Sequence, residues 1–121
     1  MTIYDAVGGA ETFERLVGRF YEGVENDPVL RPLYPEDMSE SRRHLTLFLI
    51  QYFGGPGTYS EERGHPQLRG RHMRFAIGRA ERDAWMQHMT EALDELELSP
   101  LVKEQLRSYF DGAATFLMNK E

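Results

Sequence analysis

The residues able to do chemistry in this chain are few, and their types narrow the options. There are four histidines, one tryptophan, six tyrosines and no cysteine. Without cysteine there is no thiolate nucleophile, disulfide framework or iron–sulfur cluster. No histidine pair has the H-E-x-x-H spacing of a helical zinc site. Glu40 and His44 have the wrong offset for the E-x-x-H motif of a di-iron bundle. A phosphate-cradling G-x-x-x-x-G-K-[ST] loop is absent, and no serine sits on a hydrolase elbow. One histidine remains in a telling place. Pro66 suits a helix start, which predicts a short helix over 66–74. That helix puts Leu68 and His72 on one face at i, i+4, with arginines at the flanks. An inward imidazole there is either hydrogen-bonded in the core or a ligand to a metal or haem. His65 lies before the helix start and reads as ordering the loop.

Three polar aromatics accompany it. Tyr21 and Trp85 fall on the apolar stripes of two predicted helices, and Tyr34 stands at a corner after Pro32. Buried, their O–H and N–H groups need partners. Six arginines (Arg63, Arg69, Arg71, Arg74, Arg79 and Arg82) crowd one segment with only Glu81 against them. Such a cluster is either a solvated, salt-bridged face or a seat for a small anion.

The elements that must position these groups follow from periodicity. Ile3 to Val7 predicts one helical turn ended by Gly8-Gly9. Phe13, Leu16, Val17, Phe20, Tyr21 and Val24 recur at helical spacing, and Asn26-Asp27-Pro28 ends that stripe. Ser39 or Ser41 can cap the next helix, whose apolar residues Leu45, Phe48, Leu49, Tyr52 and Phe53 are widened by Leu47 and Ile50. So broad an apolar surface packs on more than one side, or against a large apolar object. Residues 54–65 carry no periodicity and predict a loop, the kind usually functional or ordered by something bound. Arg79 to Glu97 predicts a helix with Trp85, His88, Met89, Ala92, Leu93 and Leu96 on one face. Ser99-Pro100 opens a last helix with Val102, Leu106, Tyr109, Phe110, Ala113, Phe116 and Leu117 as its stripe. No stretch alternates as a strand should. The class is all-α, in one domain spanning 1–121.

The net charge of −6 argues against nucleic acid as a partner. No apolar run is long enough for stable membrane insertion. The N-terminus lacks the basic and apolar regions of a signal peptide, which makes the cytoplasm the default location.

An inward histidine, three polar aromatics, an unusually apolar helix and a basic rim suit a flat, apolar, dianionic cofactor ligated through iron. Haem is such a cofactor, with propionates for the arginines and an axial imidazole from His72. The sequence resembles the group II truncated haemoglobins over essentially its whole length. The resemblance rests on Tyr4-Asp5-Ala6-Val7-Gly8-Gly9, Arg19-Phe20-Tyr21, Leu33-Tyr34-Pro35-Glu36-Asp37 and Gln51-Tyr52-Phe53-Gly54-Gly55-Pro56. It continues through Tyr59-Ser60-Glu61, Arg63-Gly64-His65-Pro66, Arg71-His72 and Glu81-Arg82-Asp83-Ala84-Trp85. The corner tyrosine, His72 and the tryptophan thirteen residues later are its most specific part.

The resemblance implies a two-over-two helical sandwich with a shortened first helix and a loop before the proximal-histidine helix. It implies haem b, with His72 as the iron ligand and Tyr21, Tyr34 and Trp85 around a bound gas. Leu45 and Phe48 would line the distal wall and Leu68, Phe75 and Met89 the pocket. Arg71 is the expected propionate partner, with Tyr59 and His44 beside it. Ser41 stands at a distal gate that is histidine in many globins and often alanine in this family. Phe53 stands where relatives often carry tryptophan.

Two or three donors aimed at bound dioxygen contribute about 2–4 kcal/mol, or roughly ten- to thousand-fold slower release. A carrier has to let go, so the expectation is redox chemistry on O2 with nitric oxide, or on peroxide, rather than O2 transport. The activity would be nitric-oxide dioxygenation or peroxidase-like turnover, with an external reductant and a monomeric or homodimeric protein. CO would bind at the same place. The alternatives are O2 storage or sensing, or a cofactor-free helical interaction module with His72 packed in its core.

Overall fold

The computed structural model describes residues 1–120, and among them there are seven α-helices and no strand. Helix α1 (Ile3–Ala6) is a single turn. It is held by a reciprocal box, in which Thr2 Oγ1 accepts from Asp5 N at 3.1 Å while Asp5 accepts from Thr2 N. Gly8 and Gly9 then take φ of 95° and 84°, which only glycine adopts without strain, and reverse the chain into α2 (Ala10–Glu25).

Helix α2 is the axis of the fold. Its expected stripe is buried along its whole length, with Val17, Phe20 and Val24 fully removed from water. It packs against α3 (Ser39–Tyr52) on one side and α6 (Arg79–Asp94) on the other, and α6 packs against α7 (Pro100–Phe116). Two pairs of helices laid across each other make the two-over-two sandwich. Fully burying side chains such as Phe13, Phe20 and Phe110 stabilises it by about 1.5–3 kcal/mol each. The α2–α6 crossing is close because Gly23 has no side chain: a Cβ there would fall on the His88 imidazole. His88 instead meets Asp27 (Nε2 to Oδ2, 2.6 Å), and Asp27 Oδ1 also accepts from Val29 N at 2.8 Å. This pair ties α6 to the turn leading into the 3₁₀ segment Arg31–Leu33 and so to Tyr34.

Several details depart from the sequence reading. Neither serine caps α3. Its N-cap is Met38, and Asp37 Oδ1 accepts from both Ser39 N (2.9 Å) and Ser39 Oγ (2.6 Å). The expected loop over 54–65 contains helix α4 (Thr58–Arg63). It is too short to show periodicity and is anchored by one buried residue, Tyr59, which packs on Phe48 with ring centres 5.5 Å apart. Its N-terminal amide at Ser60 is satisfied from another helix, by Gln51 Oε1 at 2.9 Å, while Gln51 Nε2 donates to Ser60 Oγ. Tyr52 and Phe116, expected on inner stripes, are 55% and 58% exposed. Tyr52 covers Tyr109 at the surface, and the Arg69 guanidinium lies over Phe116.

Candidate functional site

Helix α5 (Leu68–His72) is shorter at both ends than its sequence suggests. Gln67 sits in the left-handed region at φ 47°, ψ 49°, so the chain turns between Pro66 and Leu68 and the helix starts after it. His65 orders this bend, its Nδ1 accepting from Gln67 N at 3.3 Å. Arg71 ties the bend down: its Nε donates to Pro66 O at 2.7 Å and its Nη2 to Arg63 O at 3.0 Å.

One i, i+4 contact inside α5 decides what His72 can do. His72 Nδ1 lies 2.7 Å from Leu68 O. A carbonyl only accepts, so the proton is on Nδ1 and the lone pair is on Nε2. An imidazole oriented this way by a backbone carbonyl is set up to ligate through Nε2.

His72 opens onto a cavity of about 390 Å³. Its walls are mainly apolar: Leu30 and Leu33 before the corner, Leu45, Phe48 and Leu49 from α3, Leu68, Phe75 and Ile77 around α5, and Phe110 and Ala113 from α7 with Leu117 just after it. Tyr21, Tyr34, Trp85, Tyr59, Ser41 and His44 also line it, and Arg63, Arg71, Arg74 and Arg82 bring positive charge to it. The structure thus gathers into one cavity every expected pocket residue except Met89. Met89 is fully buried in the core instead. One turn further along α6 than Trp85, it is carried past the cavity and into the packing between the helices.

The three polar aromatics form a cluster. Tyr21 and Tyr34 meet edge to face with centres 5.5 Å apart, and Trp85 packs on Phe20 (5.2 Å) and Phe110 (5.9 Å). Burial pushes the Tyr34 phenol up to about 12, while the nearby polar groups of Tyr21 and Trp85 pull it back. Burial, reinforced by Tyr34, raises Tyr21 further still. Both phenols therefore stay protonated near neutrality. Neither phenol nor the indole N–H makes a close hydrogen bond among the described residues, so all three polar groups remain available to a guest in the cavity they line.

The arginines divide by task. Arg82 is committed to Asp111, to Asp83 at 3.2 Å and to Thr115. Arg71 spends most of its donors on the backbone. Arg74 lies over the Phe75 ring and Arg63 over the Tyr59 ring, and neither holds a carboxylate among the described residues. His44 sits beside Glu40 (3.3 Å); burial, with Arg63 next, holds its pKa below the usual imidazole value. Sequence reasoning missed the α7 wall, although Ala113 on an otherwise bulky stripe was a visible sign that something passes there. It also missed Arg63 and Arg74 as the freer cations.

The bacterial-like globin family profile matches residues 2–119. This chain belongs to the bacterial-like globins. Within them it joins the group II truncated haemoglobins. It is 40% identical to the group 2 truncated hemoglobin YjbI of Bacillus subtilis, over 97% of this chain and 88% of that one. A thermostable haemoglobin from Thermobifida fusca superposes with a TM-score of 0.96 at 55% identity, covering 98% of both chains. A truncated oxygen-avid haemoglobin from Bacillus subtilis superposes with a TM-score of 0.93 at 39% identity, covering 98% of this chain and all of that one. Haem b is the usual cofactor of these globins. The residues present fit it: a tautomer-fixed imidazole with a free Nε2, apolar walls for the ring, and cations without carboxylate partners for two carboxylates.

Proposed function

We propose that the chain binds haem b through His72 Nε2 and holds dioxygen tightly, for redox chemistry with nitric oxide or peroxide rather than for transport. The observation that carries this reading is the His72 Nδ1–Leu68 O contact, which leaves an unused lone pair at an apolar cavity shared with three neutral donors. Bound haem supplies a ferrous centre for diatomic gases and, with peroxide, one-electron oxidation. The residues supply the rest. Leu45, Phe48, Leu68 and Phe75 would shield the ring from water, and Arg63 and Arg74, with His44 and the two unused Arg71 Nη1 donors, would receive the propionates. Tyr34 O–H, Tyr21 O–H and Trp85 N–H, which line the same cavity, would be the donors to the negatively polarised end of a bound ligand. Ser41 and His44 stand at the same cavity, where a small hydroxyl leaves room for a second reactant. The family binds small gas ligands, which agrees with this arrangement.

The cavity itself speaks against a cofactor-free interaction module. Its mainly apolar walls bound about 390 Å³, a pocket of the size and lining that takes a small-molecule or cofactor guest, whereas an interaction module needs only a packed core. Reconstitution with hemin is expected to give a Soret band, and His72→Ala to lose the ferrous His-ligated spectrum while retaining the helical far-UV signal. A chain that takes up no haem, or a variant with an unchanged spectrum, overturns the reading. Nitric-oxide turnover of the oxygenated protein, compared with its spontaneous O2 release, then separates dioxygenation from storage.

A further inference from the structure

The chain after α7 makes an unusual set of contacts. Asn119 Nδ2 donates to His72 O at 3.2 Å and to Phe75 O at 2.7 Å, and Asn119 Oδ1 accepts from Ile77 N at 2.9 Å. Its backbone N–H donates to Ile77 O at 2.9 Å. Both donors and the acceptor of one side-chain amide are thus spent on three backbone positions whose side chains line the cavity. The contact is reciprocal, since Arg69 Nη1 reaches back from α5 to Phe116 O (2.6 Å) and Met118 O (3.3 Å) at the end of α7.

Arg71 holds the start of helix α5 to the bend before it, but the His72 end is held from outside by the segment after α7. Five residues make little more than one turn, far below the length at which a helix is stable alone, and no residue of α5 is fully buried. The carbonyl of His72 belongs to the last turn, where no intrahelical N–H is available to every acceptor. The His72 carbonyl accepts from Phe75 N at 3.0 Å where the helix ends, and Asn119 adds a second donor, from another segment, at the residue whose imidazole matters.

We infer that Asn119 is a positioning residue for His72: with Arg69 it clamps the short histidine-bearing helix onto the end of α7 and so sets the angle and distance at which His72 Nε2 is presented to the cavity. The inference rests on His72 being the axial ligand. Asparagine is suited to the task because a single planar group both donates twice and accepts once. Aspartate keeps the acceptor for Ile77 N but has no N–H for the two carbonyls and sets a negative charge against them.

The test uses the full chain loaded with haem, in the ferrous, ligand-free state. Wild type, Asn119→Ala, Asn119→Asp and the remote control Ser99→Ala are compared by the iron–histidine stretching band in resonance Raman and by haem transfer to apomyoglobin. Ser99 caps α7 at its other end, accepting from Val102 N at 3.3 Å, so its loss weakens the fold without touching the clamp. The expected result is a shifted or broadened iron–histidine band and haem loss faster by about three- to tenfold in both Asn119 variants. Ser99→Ala should leave the band in place. In the haem-free chain, the Ile77 amide should lose exchange protection in Asn119→Ala. An unmoved band with unchanged haem loss in both Asn119 variants overturns the inference, as does an equal shift in Ser99→Ala. A wild type without any iron–histidine band instead overturns the assignment of His72, so the two failures are distinguishable.

Discussion

Trp85→Phe is the sharpest single perturbation of the donor cluster. Phenylalanine keeps an aromatic ring against Phe20 and Phe110, whose centres lie 5.2 Å and 5.9 Å from that of the indole, so packing is largely conserved. What is removed is one N–H. A neutral hydrogen bond is worth about 0.5–1.5 kcal/mol net, and one to a charged acceptor about 1.5–3. Bound dioxygen lies between these, which makes the loss about 1–2 kcal/mol and O2 release roughly five- to thirtyfold faster. The indole and the Tyr34 phenol line the same cavity, so the two donors can be coupled there. The measurement is stopped-flow displacement of O2 from the ferrous protein by excess CO, for Trp85→Phe, Tyr34→Phe and the double variant. If the two donors work as a chain, the double variant is faster than either single one but slower than their product, with a coupling of about 0.5 kcal/mol or more. A Trp85→Phe rate within twofold of wild type refutes the reasoning, because the indole would then touch neither the ligand nor its main donor.

Two further outcomes test the packing. Burial raises Tyr34 and Tyr109 to about 12, with Tyr52 contributing to the latter. In the unfolded chain a phenol ionises near pH 10. The unfolded state therefore sheds protons first, so stability is intact below about pH 10 and falls as pH rises toward about 12; a melting temperature flat across that window contradicts it. The glycines of α2 and α7 should respond oppositely to alanine. Gly23→Ala drives a Cβ into the His88 ring and should cost about 1–3 kcal/mol in denaturant unfolding, whereas Gly112→Ala meets open space and should stabilise by about 0.5–1. Equal signs for the two would mean that the α2–α6 crossing is not limited by Gly23.

Much of this protein is legible without its fold, because helices are local objects. The stripe from Phe13 to Val24, the breaks at Gly8-Gly9 and Gly54-Gly55 and the Ser99-Pro100 start all rest on residues a few positions apart. So does the pairing of Leu68 with His72 that later fixes a tautomer. The resemblance, carried by Tyr34, His72 and Trp85 in order, pointed to the family and its sandwich. Helix α4 was hidden because six residues with one buried anchor show no period, and its cap comes from Gln51 on a different helix.

Only the tertiary structure could decide how groups far apart in sequence are used. Arg71 looked free for an anion and is mostly committed to the backbone of its own bend, while Arg63 and Arg74 hold no carboxylate. Met89 shares a face with Trp85, yet one turn of helix carries it from the cavity into the core. Tyr21, Tyr34 and Trp85 come to line one cavity only when α2, the corner and α6 converge. Asn119 carries no signal in sequence, since a polar residue near a chain end is ordinary, and it is 47 positions from the His72 carbonyl it holds. Spacing along the chain specifies which residues share a helical face; which faces meet, and which donors are spent, depends on contacts between segments that no local pattern encodes.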